Sequence, residues 1–372
     1  MTVVCRARVL AGGLAALSLS LSDLSLPDAS AAGEEAAQTL VQAYRQQAGQ
    51  WPAPWIDAEV DFVELGAPPS AAVEPDAVAE GKRALGERLF GSPLLALAGA
   101  PSCAGCHRPD HGWSVPTAVA TGHGGRQGKR NPPALHAAAW QVQWGWDGAF
   151  SDLAAQALAP LTRAHEMGND HLDTVLARLR ADPELAGLFR DVYGAEGITA
   201  AMLGDALAAF LRSLDKPSRF DRFVAGDYAQ LSEFEIEGLH LFRTKARCAN
   251  CHFGPQLSDR RFHNLGIAFF GEPSADLGRY QVSGQIEDVG RFRTASLRHI
   301  SESAPYMHNG LFRTLEGVIN LYERGGGETW PRSRTDAANP LYGAVARKSP
   351  QLRALQLTNR EKAALLAFLK AL

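Results

Sequence analysis

Two segments of the same spacing, Cys103-Ala-Gly-Cys106-His107 and Cys248-Ala-Asn-Cys251-His252, hold four of the five cysteines in the chain. A pair of cysteines separated by two residues puts two thiols on one side of a short turn, and the next residue adds an imidazole. That set can form thioether links to the vinyl groups of one haem and ligate its iron. A zinc knuckle or two vicinal disulfides would use the same residues. Zinc, however, needs four converging ligands, usually with further Cys or His at metal spacing close by. The recurrence of the whole pentapeptide pattern points instead to two covalently bound haem c groups.

A haem held in this way keeps one axial position, and its occupant decides the chemistry. A strong sixth ligand makes an electron carrier, whereas an open or displaceable position admits hydrogen peroxide. Gly122-His123-Gly124-Gly125 follows the first motif. A histidine among glycines sits on backbone that is free to adopt unusual conformations, so His123 is a candidate ligand of the first haem that swings away on activation. The competing reading is a solvated loop histidine. Peroxide cleavage also needs a group that takes a proton from one oxygen and delivers it to the departing one, and a carboxylate suits that role. Glu166, in His165-Glu166-Met167-Gly168, is the candidate, although alone it reads as an ordinary surface glutamate. Trp146, in Trp144-Gly145-Trp146-Asp147-Gly148, is a candidate electron bridge between haems or simply a core side chain.

The elements that must position these groups are helices joined by irregular loops rich in Gly and Pro. A short helix over Glu80–Phe90 leads into the first motif. Leu172–Tyr193 reads as helical with a break near Asp182-Pro183. In Ala200–Leu214, helical spacing gathers Leu203, Leu207, Phe210, Leu211 and Leu214 on one face. Ser232 with Glu235 and Thr358 with Glu361 form capping boxes that open two later helices, the last packing Leu365, Leu366, Phe368 and Leu369 inward. No long alternating run suggests a large sheet, so the expected class is all-α, mainly helical with long irregular loops. Gly81 before Leu89-Phe90 and Gly238 before Leu241-Phe242 suggest a weak internal duplication, one cytochrome c-like domain per haem. Lys216-Pro217-Ser218 through Gly226-Asp227 reads as a hinge. The expected division is 33–75 as an extended N-terminal segment, 76–225 as the peroxidatic haem domain and 226–372 as the electron-transfer haem domain.

Residues 1–32 read as a secretory signal, with Arg6 and Arg8, the apolar run Val9–Leu21, and a small-residue cleavage site at Ala29-Ser30-Ala31. The apolar run is short for a bilayer span, and none follows it, so no membrane span is expected after cleavage near Ala31. Removal of this segment takes Cys5 with it, and the expected location is the periplasm. A formal charge of −3 argues against a nucleic-acid partner, and 46% hydrophobic residues fit a folded globular protein. The chain allows a homodimer.

In order and spacing these pieces resemble the bacterial di-haem cytochrome c peroxidase and MauG superfamily over nearly the whole mature chain. The resemblance implies that His123 lies in the mobile loop of the first haem, that Trp146 is the inter-haem tryptophan and that Glu166 is the catalytic glutamate. It also implies a calcium ion held by Asn131, from Arg130-Asn131-Pro132, and by carbonyls at Ser303 and Pro305. Gly290–Thr294, Leu297-Arg298 and Ala304–Gly310 carry further likeness. The departure lies at the second haem. Thr314-Leu315-Glu316 leads to Tyr322, where peroxidases of this kind place Met, and Tyr at this position resembles MauG. Thioether sulfur favours reduced iron, whereas phenolate oxygen favours more oxidised states. The alternative is that Tyr322 is a packed aromatic, with Met307 or His308 as ligand.

The reading that follows is a periplasmic di-haem peroxidase that reduces hydrogen peroxide to water, with electrons relayed from the second haem by a small donor such as a c-type cytochrome or cupredoxin. One alternative is a MauG-like enzyme that directs peroxide-derived oxidising equivalents to residues of a partner protein. A non-enzymatic di-haem electron carrier is another, and it would need neither Glu166 nor a Gly-flanked His123. His111, His136, His165, His171, His240, His263 and His299 receive no role from the sequence.

Overall fold

The computed structural model describes residues 1–2, 29–68, 76–194 and 197–372. Cys5 and the charged and apolar parts of the secretory reading lie outside the described residues. The chain divides into two units, residues 1–39 and residues 40–372. Among the described residues no helix is long and apolar enough to cross a membrane. The only strands among them, Phe262–His263 and Phe292–Arg293, pair antiparallel with Phe262 opposite Arg293.

Within the larger unit two hydrophobic cores repeat one packing device. The first lies between the helices Ala77–Phe90 and Ala200–Arg212, which are capped by Asp76 and Thr199. Leu85, Leu89 and Phe90 of one helix meet Leu203, Leu207 and Phe210 of the other. A Cβ on Gly86 would lie 2.0 Å from the Ala206 carbonyl oxygen and 2.8 Å from Phe210 Cβ. The second core lies between Glu233–Arg243 and Asn359–Leu369, each opened by the expected capping box. There a Cβ on Gly238 would lie 2.0 Å from the Ala364 oxygen and 2.7 Å from Phe368 Cβ. The duplication therefore pairs Gly238 with Gly86 and not with Gly81, because backbone contact at the crossing sets the equivalence.

Two other expectations change. The segment 33–75 is not extended throughout: the helix Ala29–Tyr44 occupies its start, since an Ala- and Glu-rich stretch favours helix. Val41 and Tyr44 at the end of that helix, and Trp51 and Leu65 after it, enter the second core, far along the chain. Arg243, fully buried, fixes this wrap by donating to Tyr44 Oη at 2.8 Å and the Pro52 carbonyl at 2.7 Å, and by pairing with Glu64. The stretch read as a hinge contains the helix Arg219–Val224, capped by a Ser218/Asp221 box, with Phe220 and Phe223 in the second core. Two phenylalanines one helical turn apart bury too much apolar surface to stay in a solvated linker.

Candidate functional site

The first motif starts a short helix, Cys103–Cys106, that leads to His107. Nδ1 of His107 lies 2.9 Å from the Trp113 carbonyl and donates to it, which fixes the tautomer and leaves Nε2 as the free lone pair. Phe90 packs against this imidazole with its ring tilted, and Trp113 meets both Phe90 and Phe210 edge to face behind it. Burial pushes the Cys103 thiol up to about 12 and holds His107 below its ordinary value, so the imidazole is neutral.

Glu166 is close enough for its charge to act on Cys106, Cys103 and His107. Its Oε1 accepts from Arg163 at 3.1 Å, while Oε2 is buried without a hydrogen-bond partner. His123 is tied to the same loop: its backbone N–H donates to the Glu166 carbonyl at 2.8 Å, and its Nδ1 is buried and unpartnered. Gly168, at φ +73°, makes room for the ring, since a Cβ there would lie 2.6 Å from His123 Cγ. The fold thus brings His123 and Glu166 together beside the first motif, with one unsatisfied polar atom on each. Arg163, which orients the carboxylate, was not singled out in the sequence; its spacing from Glu166 was the available signal.

The second motif forms a tight turn, Cys248–Asn250, before Cys251 and His252. His252 repeats the tautomer lock, with Nδ1 donating to the Leu257 carbonyl at 3.0 Å. Cys248, Cys251, His252, Trp146, Met307 and Tyr322 line one cavity of about 220 Å³. Tyr322, on the helix Leu315–Glu323, has a hydroxyl with no hydrogen-bond partner among the described residues. Burial, reinforced by the Cys251 and Cys248 thiols, pushes that phenol above its ordinary range. His308 lines the same cavity, but its ring stacks on Phe292 with centroids 3.6 Å apart. Arg293, buried in the cavity wall and pulled down to about 10 by desolvation, is a cation that sequence reasoning passed over.

Trp146 stands in the wall of the second cavity. Its indole N–H donates to the Asn131 carbonyl at 2.8 Å, and the Asn131 backbone N–H donates to the His308 carbonyl at 2.7 Å. Arg130 clamps the same loop by pairing with Asp147 at 2.5 Å and Asp276 at 2.7 Å. Asn131, Ser303 and Pro305 border one space, and the Asn131 carboxamide nitrogen donates to the Ala118 carbonyl at 3.1 Å.

The residues present fit haem. At each motif the thiols adjoin a buried imidazole whose Nδ1 is held by a backbone carbonyl, and Glu166 Oε2, His123 Nδ1 and the Tyr322 hydroxyl lack hydrogen-bond partners among the described residues. A helix-rich chain with two such segments is a c-type haem protein in class. The model of the di-haem cytochrome c peroxidase family matches residues 80–229. The chain is 36% identical over 296 residues to the methylamine utilization protein MauG of Methylorubrum extorquens, covering 78% of each. It is 32% identical over 321 residues to the cytochrome-c peroxidase IdrP1 of a Pseudomonas species, covering 78% of this chain and 80% of the relative. The crystal structure of a MauG-like protein associated with microbial copper homeostasis superposes with a TM-score of 0.69 at 32% identity, covering 85% of this chain and 95% of that one.

The chain belongs to the di-haem cytochrome c peroxidase family. It is an oxidoreductase with peroxidase function, and the family implies two haem c groups.

Proposed function

We propose that hydrogen peroxide is reduced beside the first motif, with Cys103 and Cys106 attaching the haem and His107 ligating it through Nε2. The observation that carries this reading is the unpartnered, buried Oε2 of Glu166 next to that motif. When bound, the haems supply two electrons and an iron site where the O–O bond breaks. Glu166 takes a proton from one peroxide oxygen and gives it to the departing oxygen, so that two further protons and the two electrons yield two waters. Arg163 holds the carboxylate oriented, and His123 guards access through its glycine-backed loop. Trp146 bridges toward the second haem, held by Cys248, Cys251 and His252. Each haem occupies its own cytochrome c-like domain. A calcium ion at the Asn131 side chain and the Ser303 and Pro305 carbonyls keeps the Trp146 loop in register, an all-oxygen set suited to that cation. Export to the periplasm agrees with covalent haem attachment.

A second reading, oxidation of a partner protein, draws on two observations. The free Tyr322 hydroxyl faces the second cavity, and phenolate ligation would favour more oxidised iron. The exposed Trp55 is pinned to the second motif, its carbonyl accepting from Asn250 Nδ2 at 3.0 Å. Trp55 is thus a route for oxidising equivalents to the surface.

Glu166→Gln tests the first role. Both haems should remain attached by pyridine haemochrome assay, while peroxide consumption falls about 10²- to 10⁴-fold. Unchanged turnover would refute the assignment. Adding peroxide to the fully oxidised protein separates the two readings. A long-lived visible and near-infrared change involving both haems favours the protein oxidase, and no reaction before one electron is supplied favours the gated peroxidase.

A further inference from the structure

His136, His299 and Glu302 converge in a cluster of their own, in which His136 also lines the wall of the second cavity. His136 follows Leu135, which packs against the first core, whereas His299 and Glu302 flank Ile300, which packs against the second. Each imidazole has one nitrogen committed to backbone. His136 Nδ1 donates to the Leu214 carbonyl at 3.2 Å, and His299 Nε2 donates to the Lys216 carbonyl at 2.8 Å. Those bonds set the tautomers and turn the other two lone pairs, His136 Nε2 and His299 Nδ1, toward the Glu302 carboxylate. The separations are 3.7 Å from His136 Nε2 to Oε2 and 3.4 Å from His299 Nδ1 to Oε1. All three ligand atoms lie within 4.8 Å of one another, and the two rings are 4.3 Å apart between centroids.

Two imidazole lone pairs and a carboxylate directed at one another repel unless a cation lies between them. His136 Nε2 is buried with no hydrogen-bond partner, in a residue only 4% exposed. Burial and the neighbouring His299 hold His136 down to about 4. Lys216 Nζ, 3.3 Å from Glu302 Oε2, neutralises the carboxylate from the solvent side but supplies nothing to the imidazoles. Adjacent ligands on a tetrahedral ion at ~2.0–2.1 Å stand about 3.3 Å apart, close to the 3.4 Å from His299 Nδ1 to Oε1 and somewhat less than the 3.7 Å from His136 Nε2 to Oε2 of the same carboxylate.

We propose that His136 Nε2, His299 Nδ1 and the Glu302 carboxylate bind one divalent transition-metal ion of the Zn²⁺ or Cu²⁺ type. Water fills the open position on the side where Glu302 is 38% exposed. Two nitrogens and one oxygen suit such ions and disfavour calcium. The backbone carbonyls that hold the outer nitrogens are the supporting contacts typical of histidine metal sites. Because its ligands come from segments packed on different cores, the ion ties the two cores together. The proposal is independent of the peroxide chemistry.

The test uses the full, haem-loaded chain, stripped with chelator, resupplied with excess calcium and dialysed against micromolar Zn²⁺. Elemental analysis should give one Zn²⁺ per wild-type chain, and the thermal midpoint should rise. His136→Gln and His299→Gln should each weaken binding about 100-fold or more, since even supporting contacts are worth 10- to 100-fold. With Cu²⁺ in place of Zn²⁺, electron paramagnetic resonance should show coupling to two nitrogens in wild type and one in each histidine variant. Glu302→Gln alters a half-exposed side chain and should also lose affinity at unchanged haem content, so a folding defect in the histidine variants leaves the question answerable. No binding by wild type, or equal binding by Glu302→Gln with two-nitrogen coupling retained in the histidine variants, would overturn the proposal.

Discussion

Adding one methyl group at three helical glycines should have opposite effects on stability, and the signs follow from the crossings. At Gly86 a Cβ would sit 2.0 Å from the Ala206 oxygen and 2.7 Å from its carbonyl carbon; at Gly238 the same distances apply to Ala364. The obstacles are helix backbone and Phe Cβ atoms, so no flexible side chain can swing aside. The helices must part by more than an ångström. A radial gap of 0.5–1 Å already forfeits a quarter to a half of the dispersion attraction between facing atoms. Overpacking of this kind costs about 1–3 kcal/mol, and rigid neighbours place these sites at the upper end. Better helix propensity returns about 1 kcal/mol. The net for Gly86→Ala and Gly238→Ala is about 2 kcal/mol of destabilisation each. Gly187, within the helix Pro183–Tyr193, has nothing within 4 Å of a Cβ, so Gly187→Ala should keep the propensity gain and stabilise. Urea unfolding of the haem-loaded protein, followed by far-ultraviolet circular dichroism and Soret absorption, reads the midpoints. A crossing variant within 0.5 kcal/mol of wild type, on the scale of about 1 kcal/mol set by propensity alone, would refute the packing argument. So would a Gly187→Ala protein as weak as the crossing variants.

Three further outcomes follow from buried charge and from the second cavity. Glu64→Gln removes the anion facing fully buried Arg243 and should lower stability by about 2 kcal/mol, less than a wholly buried pair because Glu64 is partly exposed; an unchanged urea midpoint would rule it out. At Asp276 burial raises the carboxyl pKa, but hydrogen bonds and charge from Arg130 outweigh it and set the folded value below the ordinary one. Its stabilising contribution is therefore complete above about pH 4 and is lost as pH falls through the folded value. Asp276→Asn should flatten that acid limb of the urea midpoint, and an identical limb would contradict the pairing. Tyr322→Met should raise the reduction potential of the second haem, and a spectroelectrochemical titration unchanged from wild type would remove Tyr322 as its ligand.

What could be read from sequence was local. The two Cys-x-x-Cys-His segments, both capping boxes and the break at Asp182-Pro183 are short-range patterns, so their spacing alone determined them. The apolar stripe of Ala200–Arg212 was legible for the same reason, since helical periodicity names a buried face without naming its partner. Tertiary structure decided what meets across the chain. Gly86 replaced Gly81 because the repeat is set by backbone contact with Ala206, more than a hundred residues away. Residues 40–65 joined the distant second core, and the apparent hinge became helix, because Phe220 and Phe223 found apolar partners there. Glu166 was a candidate from its motif, but which of its oxygens stays without a partner was decided by Arg163 taking one and burial stranding the other. His136 and His299 carried no signal at all. Their meaning arises only where two carbonyls fix two tautomers and point the remaining lone pairs at one carboxylate, a convergence that spacing along the chain does not encode.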